Sequence, residues 1–237
     1  MPDRKKTVAV LALILLNIFM ATNAHSQGNN IKSGFGYVIL EGNSLDIQEL
    51  NTTLSRHSYS QFSDNFFGIG AGGHQIKKRF ILYDGYALLY FPRYKNSIVE
   101  NTQYEISLSG FYGLWNIGYV FYENNNFKIF PLLGFGTGAM KMKIVERRSF
   151  DEILINPKGS STITKGITIF NFAVGAEKLF RKKEGEKSDR YLMLGIRLGY
   201  RYCPGEYDWE NVSGGPDISL TGPYFLVMFG GGHESKL

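Results

Sequence analysis

The segment 192–202 reads LMLGIRLGYRY and alternates between two kinds of side chain. One face carries Leu192, Leu194, Ile196, Leu198 and Tyr200, and the other carries Met193, Gly195, Arg197, Gly199 and Arg201. Alternation with a period of two is typical of a β-strand whose faces meet different surroundings. The segment therefore predicts a strand with one apolar face and one face that holds two arginines.

Seven other segments have a strand-like composition, and most of them alternate in the same way. The first segment extends over 190–202, and the seven others are 33–40, 66–76, 79–91, 104–121, 127–143, 167–180 and 222–231. In 104–121, Ile106 and Leu108 alternate with Glu105 and Ser107, and the pattern shifts near Trp115. We expect a bulge there. Segment 222–231 is apolar on both faces, so its alternation does not define a register.

The connections between these segments alternate in length. Short ones lie at 77–78, 123–126 and 181–189, and long ones at 41–65, 92–103, 144–166 and 203–221. Short turns on one rim, long loops on the other and an even number of strands are typical of outer-membrane barrels. The sequence therefore predicts an all-β fold, an eight-stranded antiparallel up-and-down transmembrane β-barrel. Its four long loops face outward, and both termini lie at the periplasmic rim.

The N-terminal residues have the pattern of an export signal. Arg4, Lys5 and Lys6 precede an apolar run that ends at Met20, which is shorter than the ~20 residues of a membrane-spanning helix. We expect residues 1–26 to be a cleaved signal peptide of the Sec route, with cleavage after Ala24 or Ser26. Residues 27–237 then form a single barrel domain. Loss of three basic residues and one acidic residue lowers the net charge from +5 to +3, so the basic composition is no argument for nucleic-acid binding.

Two barrel architectures fit the alternation, and they differ in where the charged residues point. In a soluble lipocalin-like carrier the apolar face would turn inward around a ligand. In a membrane barrel an arginine on the lipid face costs about 2–4 kcal/mol near the midplane, so the charges must be luminal. The export signal, loop asymmetry and 28 glycines favour the membrane barrel. A luminal charge network is then predicted from Asp84, Glu105, Glu177, Arg197 and Arg201. Eight strands leave room only for side chains, so we expect a plugged lumen.

The chain resembles the small eight-stranded outer-membrane barrels of the OmpA/OmpX type, in a class often found in Bacteroidetes. The resemblance rests on the leader and on the segments PLLGFGTGAM (131–140), LMLGIRLGYRY (192–202) and TGPYFLVMFGG (221–231). It implies a structural or surface-interaction role in the outer membrane. It also implies contacts with outer-membrane lipid, and with periplasmic chaperones and the barrel assembly machinery during biogenesis. Phe229 is then the aromatic residue that this machinery reads, although GGGHESKL follows it.

A lipid A-modifying hydrolase or acyltransferase is the enzymatic alternative, because some barrels of this size resemble the chain and have that activity. Their sites combine His with Ser and an acid near the outer rim. Only His57 lies in a long outer loop, with Ser58 and Ser60 beside it. A catalytic serine needs a base within hydrogen-bond reach and a third group that orients the base. Sequence neighbours rarely meet this condition, so we predict a protein that is not an enzyme.

Three further motifs bear on cofactors, metals and loop structure. Gly68, Gly70 and Gly73 have the G-x-G-x-x-G spacing of dinucleotide loops, but an aromatic strand follows instead of a helix. Acidic residues at 206, 208, 210 and 217 lack the glycine-turned spacing of a Ca²⁺ loop. We therefore predict no cofactor and no metal. Residues 45–56 have a helical apolar stripe, with Asn43 or Ser44 as its cap. No motif identifies the ligand of the outer loops.

Overall fold

The computed structural model describes residues 33–155, 159–183, 188–204, 209–210, 212 and 214–235. The predicted signal peptide and both of its cleavage sites lie outside these residues. The described strands are β1 (Ser33–Ser44), β2 (Asn65–Lys77), β3 (Phe80–Tyr90), β4 (Arg93–Val99), β5 (Thr102–Tyr119), β6 (Tyr122–Asn124), β7 (Phe127–Glu146), β8 (Ser160–Lys183), β9 (Ser188–Tyr202) and β10 (Gly222–Ser235). The described helices are α1 (Gln48–Arg56), after β1, and α2 (Phe150–Ile155), after β7. Neither helix has the length and apolar character needed to span a membrane.

The strands form one closed antiparallel ring. β1 pairs with both β2 and β10, and β10 continues through β9 and β8 to β7. β3 and β4 both pair with β5, so they act as one wall interrupted at Pro92. β5 and β6 both pair with β7 and form a second interrupted wall. The ten segments thus make eight barrel strands, and the predicted eight-stranded antiparallel barrel is confirmed.

Pro131 lies at one of these interruptions. Its neighbours along β7, Leu132 and Ile129, pair with the last residues of β5 and with β6, respectively. The carbonyl of Ile129 accepts a hydrogen bond from Phe121 N at 3.2 Å, so residues 129 and 131 turn their backbone groups toward the same gap. Because no residue of β5 or β6 is paired with Pro131, the N–H that proline lacks is not needed there.

An apolar belt surrounds the middle of the barrel. Its outward side chains come from every wall and include Val38, Leu40, Phe67, Ile69, Leu89, Trp115, Ile117, Leu133, Phe135, Phe170, Phe172, Leu194, Ile196, Leu198, Phe225 and Phe229. Residues between them on the same strands point inward and are buried. The exterior is therefore apolar and the interior polar at this level. This arrangement is the reverse of the lipocalin-like alternative, which is wrong for this chain.

Beyond the belt, on the long-loop side, the two faces exchange character. On β5, Ser107 and Ser109 point outward while Ile106 and Leu108 are fully buried inside. The predicted bulge near Trp115 is wrong, because the β5–β7 register runs without a shift from Tyr104 to Gly118. The surroundings of β5 change at this point, whereas the alternation of its inward and outward side chains continues without a break. A register shift occurs instead in β3, between Ile81 and Asp84.

The long connections are partly strand. The segments 92–103 and 144–166 were predicted to be loops, but they contain β4, the end of β7 and the beginning of β8. The β4–β5 hairpin closes at Glu100 and Asn101, both of which have positive φ, as a tight hairpin turn requires. The last strand also continues past Phe229 to Ser235, with Glu234 opposite Ser33 of β1.

Gly68, Gly70 and Gly72 line the lumen side of β2, where other walls come too close for a side chain. A Cβ on Gly72 would lie 2.5 Å from the carbonyl oxygen of Gly85 and 2.5 Å from Cβ of Tyr86. β3 follows this run of glycines, so no helix N-terminus exists there to hold a phosphate. The predicted aromatic strand after these glycines is confirmed.

We expect Gly72→Ala to lower the free energy of unfolding by about 1–3 kcal/mol, because the added methyl group overpacks the lumen. The matched control is Gly166→Ala on β8, where a Cβ meets nothing within 4 Å. Urea unfolding of the refolded protein in detergent micelles measures both. Equal stability of the two variants would contradict the close approach of β2 and β3.

Candidate functional site

The first polar cluster of the lumen, the Asp84 cluster, is built around an ion pair between β3 and β9. Arg197 donates two hydrogen bonds to Asp84, from Nη1 to Oδ2 at 2.8 Å and from Nη2 to Oδ1 at 2.6 Å. Tyr37 donates to Asp84 Oδ1 at 2.6 Å, and the Asn116 amide donates to Oδ2 at 2.8 Å. The carboxylate is thus fully buried and fully paired, which is the condition under which a buried charge is tolerated.

The second cluster, the Glu41 cluster, lies nearer to the long-loop end. Arg201 donates to Glu41 Oε1 at 2.5 Å and to the Tyr90 hydroxyl at 2.6 Å. The hydroxyls of Tyr90 and Tyr112 both donate to the Glu41 carboxylate. The guanidinium also lies over the Tyr112 and Tyr224 rings, 4.6 and 4.3 Å from their centroids. Cation–π contact in a desolvated site adds to the ion pair.

Amide side chains join the two clusters. Asn171 donates to Asn116 Oδ1 at 2.7 Å, and the Tyr224 hydroxyl donates to Asn171 Oδ1 at 2.8 Å. Because the Tyr224 ring also lies against Arg201, one connected network runs from Asp84 to Glu41. Such a network crosses the lumen and fixes opposite walls relative to each other.

A third group of charges fills the short-turn end. His74 Nε2 lies 3.5 Å from Glu177 Oε2, and both side chains are buried. Neither ring nitrogen and neither carboxylate oxygen has a hydrogen-bond partner among the described residues. Lys128 lies 3.1 Å from Glu234, and its Nζ is 5.9 Å from the Phe35 centroid.

The structure places four of the five predicted luminal charges inside the barrel. Asp84 and Arg197 are brought together, Arg201 is in the Glu41 cluster, and Glu177 faces His74. Glu105 is different: it points outward beyond the apolar belt and pairs with Arg147 at 2.8 Å. Its prediction as a luminal charge is wrong, because β5 at that height has water outside and an apolar cluster inside.

Sequence reasoning missed several ionisable residues of the lumen, among them Glu41, His74, Lys128 and Glu234. The predicted segment 33–40 ends just before Glu41, although Glu41 continues the alternation of Tyr37 and Ile39 on β1. The predicted segment 222–231 ends before Glu234, which lies on β10. Extending the period-2 pattern by a few residues at each strand end would have found both.

An apolar cap closes the long-loop end of the lumen. The predicted helical stripe is confirmed, since Ile47, Leu50 and Leu54 are all buried. The predicted cap residues are wrong: the N-cap of α1 is Ile47, which makes no side-chain capping bond. The stripe belongs to the same buried cluster as Phe62, Phe66, Ile106, Leu108, Met140, Met142, Ile167, Ile169, Trp209, Ile218 and Leu220.

Polar contacts attach the cap to the barrel wall. Ser60 Oγ donates a hydrogen bond to Asn96 O, and Ser60 N donates one to Ser97 Oγ, each at 2.8 Å. On the other side, Ser219 N donates to Asp46 O at 3.0 Å, which joins the first and last outer loops. Lys165 on β8 forms an ion pair with Asp217 of the last loop.

Above the belt, β4, β5, β7 and β8 continue together as a protruding sheet. Its outward face carries Asn96, Gln103, Glu105, Ser107, Ser109, Lys141, Lys143, Ser160, Thr162 and Thr164 together with Tyr94, Ile98 and Val145. Ile98 is 71% exposed and Tyr94 is 63% exposed. The protruding sheet is therefore a mostly polar surface with two exposed apolar side chains on β4.

Helix α2 follows the protruding sheet and begins with a capping box. Ser149 N donates to Glu152 Oε2 at 2.8 Å, and Glu152 N donates to Ser149 Oγ at 3.3 Å. These hydrogen bonds to Ser149 lower the pKa of Glu152 below its ordinary value. The carboxylate is thus held in its charged form at the start of the helix, where its negative charge interacts favourably with the unpaired backbone N–H groups of the first turn.

The candidate catalytic residues are not assembled into a site. His57 is exposed at the C-terminal end of α1, and Ser58 is exposed with a positive φ. Ser60 is occupied with the β4 backbone. Among the described residues there is no group of three side chains that could hold a metal ion. Of the acidic run, residues 206 and 208 lie outside the described part, and Asp217 pairs with Lys165.

Comparisons with known proteins concern the fold alone. No protein-family profile and no curated protein matches this chain. Among solved structures it is similar to Ail, the attachment invasion locus protein of Yersinia pestis, solved in complex with the heparin analogue sucrose octasulfate; the TM-score is 0.42, the identity 13%, and the match covers 86% of this chain and 98% of Ail. It is also similar to Neisserial surface protein A, with a TM-score of 0.37 and 11% identity over 86% of this chain and 97% of that one.

We expect Asp84→Asn and Arg197→Gln each to cost about 3–5 kcal/mol of unfolding free energy, because each leaves a buried charge unpaired. The double variant should cost clearly less than the sum of the two. Urea unfolding of wild type, both single variants and the double variant in detergent micelles measures this double-mutant cycle.

The control is the same cycle at Glu105 and Arg147, an exposed pair for which each change should cost no more than about 1 kcal/mol. Additive effects at Asp84 and Arg197 would contradict the luminal ion pair.

Proposed function

We propose that this protein is an outer-membrane β-barrel with a plugged polar lumen, which presents its long-loop end as a surface for interaction. The observation that carries the proposal is the protruding sheet. Its strands continue past the apolar belt, and their outward face changes from aromatic and aliphatic to hydroxyl, amide and ammonium groups within a few residues. A sheet that leaves the bilayer in this way is available to envelope or external partners.

The interior supports a structural barrel over a pore. Hydrogen bonds from Asp84 through Asn116 and Asn171 to Tyr224 cross the lumen, and the apolar cap lies above them. Eight-stranded barrels have interiors that side chains can fill completely. A solute would have to break both the network and the cap to pass.

The outer membrane is the proposed location, reached by the Sec route after removal of residues 1–26. Periplasmic chaperones and the barrel assembly machinery are its proposed partners during biogenesis, and outer-membrane lipid its permanent one. The exposed positions of His57 and Ser58 speak against the lipid A hydrolase or acyltransferase alternative. Lipid A from a deletion strain and from the complemented strain should have the same mass spectrum.

Intact cells test the surface assignment. In a Cys203→Ser background, which removes the single cysteine, we expect Ile98→Cys to react with a membrane-impermeant maleimide on whole cells. Ile196→Cys, on the apolar belt, should react only after the membrane is dissolved. Labelling of both residues only after cell disruption would contradict the proposed orientation.

Complementation of a deletion strain tests the interaction role. A variant in which residues 98–103 are replaced by a two-residue turn between the paired residues Ser97 and Tyr104 removes the tip of the protruding sheet and keeps the cap contacts. We expect it to remain heat-modifiable on gels, and thus folded, but not to restore the surface adhesion that the proposal expects the deletion strain to lose. Full correction by this folded variant would show that the role lies elsewhere on the barrel.

A further inference from the structure

The exterior of the β8–β9 hairpin changes from apolar to basic at its short-turn end. Phe180 of β8 and Leu192 of β9 lie opposite each other on the outward face and are 50% and 41% exposed. Arg190 precedes Leu192 by two residues and continues its outward face, whereas Lys182, two residues after Phe180, lies at the register shift between Arg181 and Lys183. Both side chains are exposed.

A third cation lies on the membrane side of this row. Lys178 also belongs to the outward face of β8, and its Nζ donates to the carbonyl oxygen of Asn125 at 2.6 Å. The aromatic ring of Phe180 is therefore framed by Lys178 and Lys182 along one strand. Long basic side chains in such positions lay their aliphatic stems on the apolar surface and extend the charge toward the headgroups.

Three described carboxylates near this end are directed away from Lys182 and Arg190. Asp189, next to Arg190, is buried on the other face of β9 and lies 3.4 Å from Arg181. Glu234 and Glu177 are within the lumen, against Lys128 and His74. Within the described part of the chain, neither Lys182 nor Arg190 has a carboxylate within ion-pair distance. Among the described residues, Asp189, Glu177 and Glu234 thus lie inside and Lys182 and Arg190 outside, while the exposed Glu123 of β6 lies 3.8 Å from Lys128.

The height of these cations matches the headgroup layer. Two residues of a strand span about 6–7 Å, and the polar layer on each side of the hydrocarbon core is about 5–7 Å thick. Lys182 and Arg190 therefore reach the phosphates when Phe180 and Leu192 are at the hydrocarbon boundary. The short-turn end of outer-membrane barrels faces the periplasm, so this is the inner leaflet.

We propose that the short-turn end of the β8–β9 hairpin is a binding site for an anionic phospholipid of the inner leaflet, with Lys182 and Arg190 on the phosphate and Phe180 against the acyl chain. The inference rests on the membrane placement of the barrel but not on its interaction role. Attraction between the two cations and a net negative headgroup makes the preference sensitive to ionic strength.

Boundary-lipid selectivity measures the site directly. The protein is reconstituted in phosphatidylcholine, and spin-labelled phosphatidylglycerol is compared with spin-labelled phosphatidylcholine at low and high salt. Wild type should prefer phosphatidylglycerol at low salt. The Lys182→Gln/Arg190→Gln variant should lose about tenfold of that preference at the site. A part of the overall preference should remain, because the basic β2–β3 turn, Lys77 to Arg79, still attracts anionic lipid. Both variant side chains are exposed, and heat-modifiable migration checks folding.

The matched control is Arg56→Gln/Lys95→Gln, which removes the same charge from exposed positions above the belt and should keep the wild-type preference. An unchanged preference in Lys182→Gln/Arg190→Gln, or an equal loss in the control, would overturn the proposal. So would abolition of the preference by inorganic phosphate at the same ionic strength, because the ligand would then be a free anion. None of these results depends on the cell phenotypes that test the interaction role.

Discussion

The structure depends on one constraint, which is that the middle of the barrel has no water outside to solvate a charge. Arg197 and Asp84 satisfy it by turning inward and pairing through two hydrogen bonds. Once the charges are inside, the alternation of β9 is fixed, and each neighbouring strand must follow the same register. The same lack of water leaves no partner for an unpaired sheet edge at this height, so the sheet must close.

Closure by eight strands makes the lumen narrow, and the narrowness explains the residues that line it. Tyrosines and asparagines connect the Asp84 and Glu41 clusters across the lumen, while glycine occupies the positions where walls approach most closely, as at Gly72 beside Tyr86. Within the Asp84 and Glu41 clusters, polar groups that would be costly one by one are tolerable because most of them are partners of one another.

The prediction from sequence succeeded where both surroundings of a strand stay constant. The outward apolar face of β9 and the eight strand positions were readable, since lipid and a polar lumen impose period-2 alternation. The prediction failed where surroundings exchange along one strand. On β5, apolar Trp115 points outward and polar Asn116 points inward. At the height of Glu105 and Ile106 the polar residue points outward and the apolar one inward, because the cap lies inside and water outside. Glu105 was therefore assigned to the wrong face.

Cross-lumen partners were beyond the reach of the sequence for a different reason. Glu41 and Arg201 are 160 positions apart, and their meeting depends on the stagger of all the strands between them. Likewise the helical stripe of α1 predicted the helix, but the surface that it covers is assembled from loops and walls distant in the chain. Local patterns define elements, whereas the ring determines which residues meet.

Two tryptophans allow the central claim, apolar outside and polar inside, to be tested in one measurement. Trp115 lies on the apolar belt with its ring 5.4 Å from Phe135, and Trp209 is buried in the cap, with Nε1 donating to Pro216 O at 2.8 Å. In bilayers of lipid brominated near mid-chain, the variant Trp209→Phe, which keeps Trp115, should lose most of its fluorescence. The variant Trp115→Phe, which keeps Trp209, should lose little of its fluorescence. Quenching of Trp115 by aqueous acrylamide but not by the brominated lipid would contradict the account.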